Sequence, residues 1–264
     1  MDPPKRSLTA PVPTAAMNHR PGATAPDGWR AYHNATRTAT YGFLSALPLF
    51  VLYEIMIVTA NAGRMSQVRI SAEIWIKDLL ALIGATNPLI VGGLVLAIGL
   101  GVFFWDRSRS IPLRGRYFGG LILESAVYAV VASALAANIV GMIVNAVPQP
   151  TGGLWLELAL SIGAGLYEEL VFRVLLVGGL ALALRPLVSD RSVAYLIAAF
   201  VGALLFSAVH YIGPLGDPLE VASFLFRFVF GLLLNGLFLW RGFGVAAWTH
   251  ALYDVMFVTG LLGG

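Results

Sequence analysis

Three ionisable side chains fall within six residues of an otherwise apolar stretch, Gly-Leu-Tyr-Glu168-Glu169-Leu-Val-Phe-Arg173. An ionised group near a bilayer centre costs roughly 2.5–3.5 kcal/mol on insertion scales, so such residues need a partner or a task. At about 100° per helical residue, Glu169 and Arg173 share one face while Glu168 points away from it. The spacing predicts a buried Glu169–Arg173 ion pair and leaves Glu168 facing a cavity, placed for the work of a general base. One structural ion triad is the plainer alternative. Of the four histidines, His19 and His33 sit in a polar N-terminal stretch, and the other two sit in Phe206-Ser-Ala-Val-His210 and His250-Ala-Leu-Tyr-Asp254. His250 and Asp254 are again four apart and share a face. A single histidine in an apolar helix is usually a packing residue, but two beside Glu168, Glu169 and Asp254 on three late segments make a candidate site. A carboxylate base, histidines to orient water or steady an oxyanion, and an arginine to hold the second carboxylate suit hydrolysis, of peptide bonds above all. Proton transfer and ion conduction are the other chemistries open to such a set.

The elements that must position these residues lie in lipid. Of 264 residues only 12% are charged and 58% are apolar, against about 25% charged in a soluble domain. Residues 117–264 carry 13 charges, while the first 40 carry 7. The pattern predicts an all-α, polytopic transmembrane helical bundle with about seven spans. They run from about Tyr41 to Asn61, Leu89 to Trp105, Tyr117 to Val147, Gly153 to Leu184, Ser192 to Tyr211, Pro218 to Trp240 and Phe243 to Leu262. Residues 1–40, with 6 of the 14 prolines and no periodicity, read as a disordered cytoplasmic tail. Residues 41–147 form N-terminal transmembrane helices, with an interfacial helix near 71–84 that carries Glu73 and Lys77 four apart. Residues 148–264 hold the candidate site.

The absence of cysteine excludes disulfides, thiolate chemistry and Cys-ligated zinc. The basic residues flank apolar spans and read as topology determinants, so no nucleic-acid partner is expected. A cytoplasmic N-terminus puts twelve Lys/Arg inside against three outside, Arg64, Arg69 and Lys77. No internal repeat is evident, which disfavours an inverted-repeat transporter.

The pattern Glu-Glu-x-x-x-Arg, then Phe-x-x-x-His, then His-x-x-x-Asn/Asp on successive late helices resembles the CPBP family of intramembrane proteases. That family includes the type II CaaX prenyl endopeptidases and the bacterial Abi proteins linked to bacteriocin self-immunity. The resemblance covers roughly residues 150–260, and the Ala-Leu-Pro…Tyr53-Glu54 stretch is also similar to bacterial members. It implies an intramembrane endopeptidase in which Glu168 and His210 activate water, Glu169 and Arg173 form a supporting pair, and His250 with residue 254 forms the oxyanion side. The family often has Asn where this chain has Asp254, so a carboxylate that orients or charges His250 is an equal reading.

His210, His250 and Glu168 or Asp254 could together supply three zinc ligands, and family members are often called metalloproteases. There is no H-E-x-x-H and no evident outer shell of partners, so the expectation is that no cofactor is required, with zinc as the alternative. The expected partners are the lipid bilayer and a membrane-tethered peptide or protein substrate, prenylated or not, at a bacterial inner membrane. The competing readings are a non-catalytic bacteriocin-immunity or membrane scaffold protein, and a transporter.

Counting ~1.5 Å per residue from the tail-side loops puts Glu168 about 24 Å deep, His210 about 28 Å, Asp254 about 20 Å and His250 about 14 Å. Straight helices would not close that spread, so a kink or a different start to the seventh span is expected. Glu124 is expected to reach water near its loop, and Arg227 to pair structurally with Glu220 or Glu157 or to snorkel outward.

Overall fold

The computed structural model describes residues 28–62, 68–84, 97–102, 104, 112–141, 153–213 and 216–262, and every regular element among them is helical. They are α1 (Trp29–Thr36), α2 (Ala39–Ala60), α3 (Ser71–Leu82), α4 (Gly115–Val140), a long α5, then α6 (Arg191–Val209), α7 (Val221–Arg241) and α8 (Phe243–Val258). Helix α5 is continuous from Leu154 to Leu184, and its middle, Ala164–Glu168 and Leu170–Val177, is wound as π-helix. Among the described residues, α2, α4, α6 and α7 are long and apolar enough to cross a membrane, and α8 is a shorter apolar helix. Residues 1–27 of the expected tail and most of the expected span Leu89 to Trp105 lie outside the described residues, of which 97–102 are helical.

Helix ends follow local chemistry. Thr38 caps α2 by accepting from Tyr41 N–H, and Asp190 caps α6 by accepting from Ser192 and Val193 N–H, which satisfies donors left free in a first helical turn. Small residues let the core helices approach. Leu49, Tyr53 and Ile57 of α2, Ala159 and Ile162 of α5, and Ala247 and Ala251 of α8 form one buried cluster. A Cβ on Gly165 would meet the Ala251 Cβ and backbone N at 2.5 Å and the Ala247 carbonyl at 2.6 Å. Backbone contact this close is how helices pack in lipid, where no water drives them together. The outward faces, such as Val51, Leu52, Ile55 and Val58 of α2, are apolar and exposed, as a lipid-facing surface requires.

Three regions differ from their expected settings. Trp29–Thr36, inside the stretch read as disordered, is helical because Tyr32 packs edge-on against Tyr117 and bonds to Glu124 at 2.5 Å. Glu124 does not stand in water: it grips Arg241 and also accepts from Tyr128 at 2.7 Å. Arg241, counted among the loop cations, is wholly buried. Glu73, on the helix expected at the interface, is buried and accepts from Tyr53, Arg69 and Lys77. This ties α3 to α2, and Trp75 meets Phe172 of α5 edge-on.

The turn between α7 and α8 lies inside the bundle. Gly242 takes a left-handed φ of 87° there, and a Cβ would meet the Arg37 carbonyl at 2.8 Å, so glycine is required. Ser125, ten residues into α4, donates to the carbonyl of Val245, three residues past the turn. At ~1.5 Å per residue the turn is therefore about 10 Å inward of the start of α4. That offset moves His250 and Asp254 inward to the level of Glu168 and His210, and the expected depth conflict disappears through a different starting level, not through a kink.

Candidate active site

The π-helical part of α5 carries Glu168, Glu169 and Arg173; α6 delivers His210 as the residue that ends it; α8 carries His250 and Asp254. All six residues singled out in the sequence meet in one cluster. Arg173 Nη1 lies 3.0 Å from Glu169 Oε1, with both side chains essentially unexposed. The same Glu169 oxygen is 2.7 Å from His250 Nδ1, and His250 Nε2 is 3.5 Å from Asp254 Oδ2. Both ring nitrogens of His250 thus face a carboxylate, and only an imidazolium can donate to both at once.

Glu168 is turned away from this buried group, as the helical spacing implied. Its Oε2 lies 4.0 Å from His210 Nε2. The Glu168, His210 and Asp254 side chains keep 16%, 24% and 25% exposure, so one side of the cluster is partly open and the other closed, although Glu168 Oε2 itself is buried without a hydrogen-bond partner among the described residues. His210 Nδ1 is 2.8 Å from the Phe206 carbonyl. A carbonyl only accepts, so in the neutral ring Nδ1 carries the proton and Nε2 presents a lone pair towards Glu168.

Phe206 organises the closed side. Its ring lies under the Arg173 guanidinium at 4.5 Å and meets Phe172, His210 and His250 edge-on. The three Arg173 guanidinium nitrogens have no hydrogen-bond partner among the described residues, so charge pairing with Glu169 and the face of Phe206 hold the cation there. Ser207, beside Phe206, donates to the Phe224 carbonyl at 2.7 Å and fixes α6 against α7.

Sequence reasoning did not find the partner of Arg227. It pairs with Asp217, not with Glu220 or Glu157, and also donates to Tyr211 and Ser223. Only the path of the loop after His210 brings Asp217 into reach, and no helical spacing signals it.

Among the described residues no group of three or more His, Asp or Glu side chains is arranged to hold a metal ion. His250 commits Nδ1 to Glu169 and turns Nε2 towards Asp254, while His210 commits Nδ1 to a carbonyl. The residues named as zinc ligands, His210, His250 and Glu168, are not gathered into a three-ligand group among the described residues, although an imidazole whose Nδ1 is held in this way can still bind a metal through Nε2.

Residues 150–256 match the family model described as Type II CAAX prenyl endopeptidase Rce1-like. Neither the curated proteins nor the solved structures gave a match. The matched stretch runs from α5 into α8 and contains all six site residues. The apolar helices and this match make the chain an integral membrane protein whose residues 150–256 are similar to the Rce1-like family. At family level the match supports an intramembrane endopeptidase with a membrane-associated substrate.

Proposed function

We propose that the chain hydrolyses a peptide bond of a membrane-tethered peptide or protein, with water activated by Glu168 and His210 and without a metal. The observation that carries this reading is the 4.0 Å gap between Glu168 Oε2 and His210 Nε2, where Oε2 is buried and has no hydrogen-bond partner among the described residues. Two acceptors at that separation can each take one proton of a single water at about 2.8 Å. A water held by both its hydrogens turns its lone pairs outward, towards a carbonyl carbon. On attack Glu168 accepts the proton and later delivers it to the leaving amine. His250, between Glu169 and Asp254, supplies a positive charge beside the developing oxyanion, and Arg173 balances the second carboxylate. Asp254 in this reading charges and orients His250, in place of donating a hydrogen bond itself.

By the count of basic residues, the N-terminus faces the cytoplasm of a bacterial inner membrane, and residues 148–264 are the catalytic unit. The test is cleavage of a panel of membrane-tethered peptides by the reconstituted protein and its Glu168→Ala variant, with and without a chelator. Cleavage that needs Glu168 and ignores the chelator supports the reading. Chelator-sensitive cleavage restores zinc, and no cleavage by a folded wild type favours the immunity or scaffold reading.

A further inference from the structure

Tyr53 of α2 is wholly buried and faces two helices at once. Its hydroxyl donates to Glu73 of α3, a buried carboxylate that also accepts from Arg69 at 2.6 Å and from Lys77. Its ring lies on α5: it meets Tyr167 edge-on at 5.4 Å, and a Cβ on Gly163 would strike it, standing 2.7 Å from Cδ2. Ile70, the residue that opens α3, closes the same notch, with Cγ1 2.9 Å from that Cβ. Gly163 and Tyr167 are four residues apart, and between them α5 passes from α to π winding at Ala164. Glu168 is the next residue after Tyr167.

A tie between α2 and α3 would account for the Glu73 cluster, but it would need no glycine on α5 and no aromatic ring laid against it. π winding occurs mostly as single turns and favours functional sites, whereas α5 winds this way over both Ala164–Glu168 and Leu170–Val177. A sparsely populated backbone geometry persists where its neighbours hold it. The first π turn is held by Tyr53 at Gly163 and Tyr167, and by Ala247 and Ala251 of α8 at Gly165. Beyond Glu168, Trp75 of α3 meets Phe172 edge-on at 6.3 Å, so α2 and α3 bracket the segment that carries the candidate base. Placement matters there, since a shift of about 1 Å in a reacting group costs up to about 10²-fold in rate.

We infer that Tyr53, its hydroxyl held by Glu73, is a positioning residue for Glu168. It fixes the first π turn so that Glu168 Oε2 stands 4.0 Å from His210 Nε2, and it acts through Gly163 and Tyr167. The inference rests on the water-activating reading of Glu168. Tyr53 and Glu73 both lie outside residues 150–256, the stretch matched by the family model, so the geometry of the centre is set in part by helices that precede that stretch.

The test follows amide hydrogen exchange in the full chain in nanodiscs, over peptides covering Ala164–Glu168 and Ser71–Leu82, and needs no turnover. Tyr53→Ala raises exchange in Ala164–Glu168 about tenfold, because the turn loses its support and opens locally. Tyr53→Phe keeps the ring in the notch without its anchor, gives an intermediate rise and controls for folding. Glu73→Ala loosens α3 and the π turn together, but adds nothing to the π turn in a Tyr53→Phe background, the non-additivity of residues that act through one contact. Gly163→Ala strikes the same ring from α5 and loosens the turn with every side chain of α2 and α3 in place. Exchange that rises in Ser71–Leu82 alone, or a π turn equally protected in Tyr53→Ala and Gly163→Ala, shows a plain α2–α3 tie and overturns the inference. Cleavage of a membrane-tethered peptide is measured separately: Tyr53→Ala lowers kcat by about 10²-fold and leaves KM nearly unchanged. A chain whose π turn loosens as expected but which cuts nothing keeps the positioning of Glu168 and loses the protease reading. Cutting at full kcat in Tyr53→Ala does the reverse.

Discussion

Arg241 and Glu124 meet in a two-pronged ion pair inside the bundle, Nε to Oε1 at 2.6 Å and Nη2 to Oε2 at 2.7 Å. Neither residue has easy recourse to water, and α1 closes over them through the His33 carbonyl and Thr36 Oγ1. Removing one partner strands the other, at a cost of about 3–5 kcal/mol. Glu124→Gln and Arg241→Met should each lower the thermal unfolding midpoint in detergent markedly. A midpoint unchanged by either would mean the pair carries no stability.

Glu168 and His210 should behave differently, because both are partly exposed and neither anchors a buried charge. Glu168→Gln and His210→Ala are expected to lower kcat by about 10²–10⁴-fold, the range of a lost general base or its partner. Unfolding midpoints should move little. A Glu168→Gln protein that still cuts at the wild-type rate would remove this carboxylate from the chemistry.

Arg173 combines both kinds of loss. Its absence leaves Glu169 buried beside His250 without its cation, so Arg173→Met should reduce stability by about 3–5 kcal/mol and abolish cleavage. Arg173→Lys restores a charge but not a flat guanidinium over the Phe206 ring, and only partial recovery is expected. Full recovery by lysine, measured by unfolding and by kcat, would show that charge alone matters.

Metal removal offers an independent check. Cleavage should survive dialysis against a chelator, and added zinc should not raise it. Loss of activity on chelation with recovery on zinc alone would point to a rearranged centre in which His210 and His250 turn their Nε2 atoms together.

Gly165 sets how closely α5 approaches α8, and the atoms that a new methyl would strike are mostly backbone. Gly165→Ala should therefore push α8 away, costing about 1–3 kcal/mol. Since His250 rides on the displaced helix, kcat should fall by more than KM rises. A variant with normal kcat would show that the two helices can part without disturbing the cluster.

The cluster itself could be read from the sequence because charges are rare in these spans, and packing alone does not account for three near-neighbours on α5 and two histidines in apolar runs. Helical spacing also gave the right partner for Arg173 and turned Glu168 the right way, even though that stretch is π-helix. The π winding left no trace, since an apolar run reads alike whether its carbonyls bond four or five residues on. The level of α8 was hidden for a different reason: Arg241 next to a glycine has the composition of a surface loop, and only its distant partners Glu124, His33 and Thr36 reveal it as interior. The partners of Glu73 were hidden on the same grounds, because Tyr53 and Arg69 reach it only through the packing of α3 on α2.

The contacts of Arg241 join residues more than 200 positions apart, from α1 to the end of α7. A growing chain emerges N-terminus first, so Glu124 and the end of α1 are made and inserted long before their cation exists. His250 follows only nine residues after that cation. The centre is therefore completed in the final moments of synthesis, and a nascent chain halted before Arg241 carries Glu168 and His210 but neither the last histidine nor the clasp that sets its level.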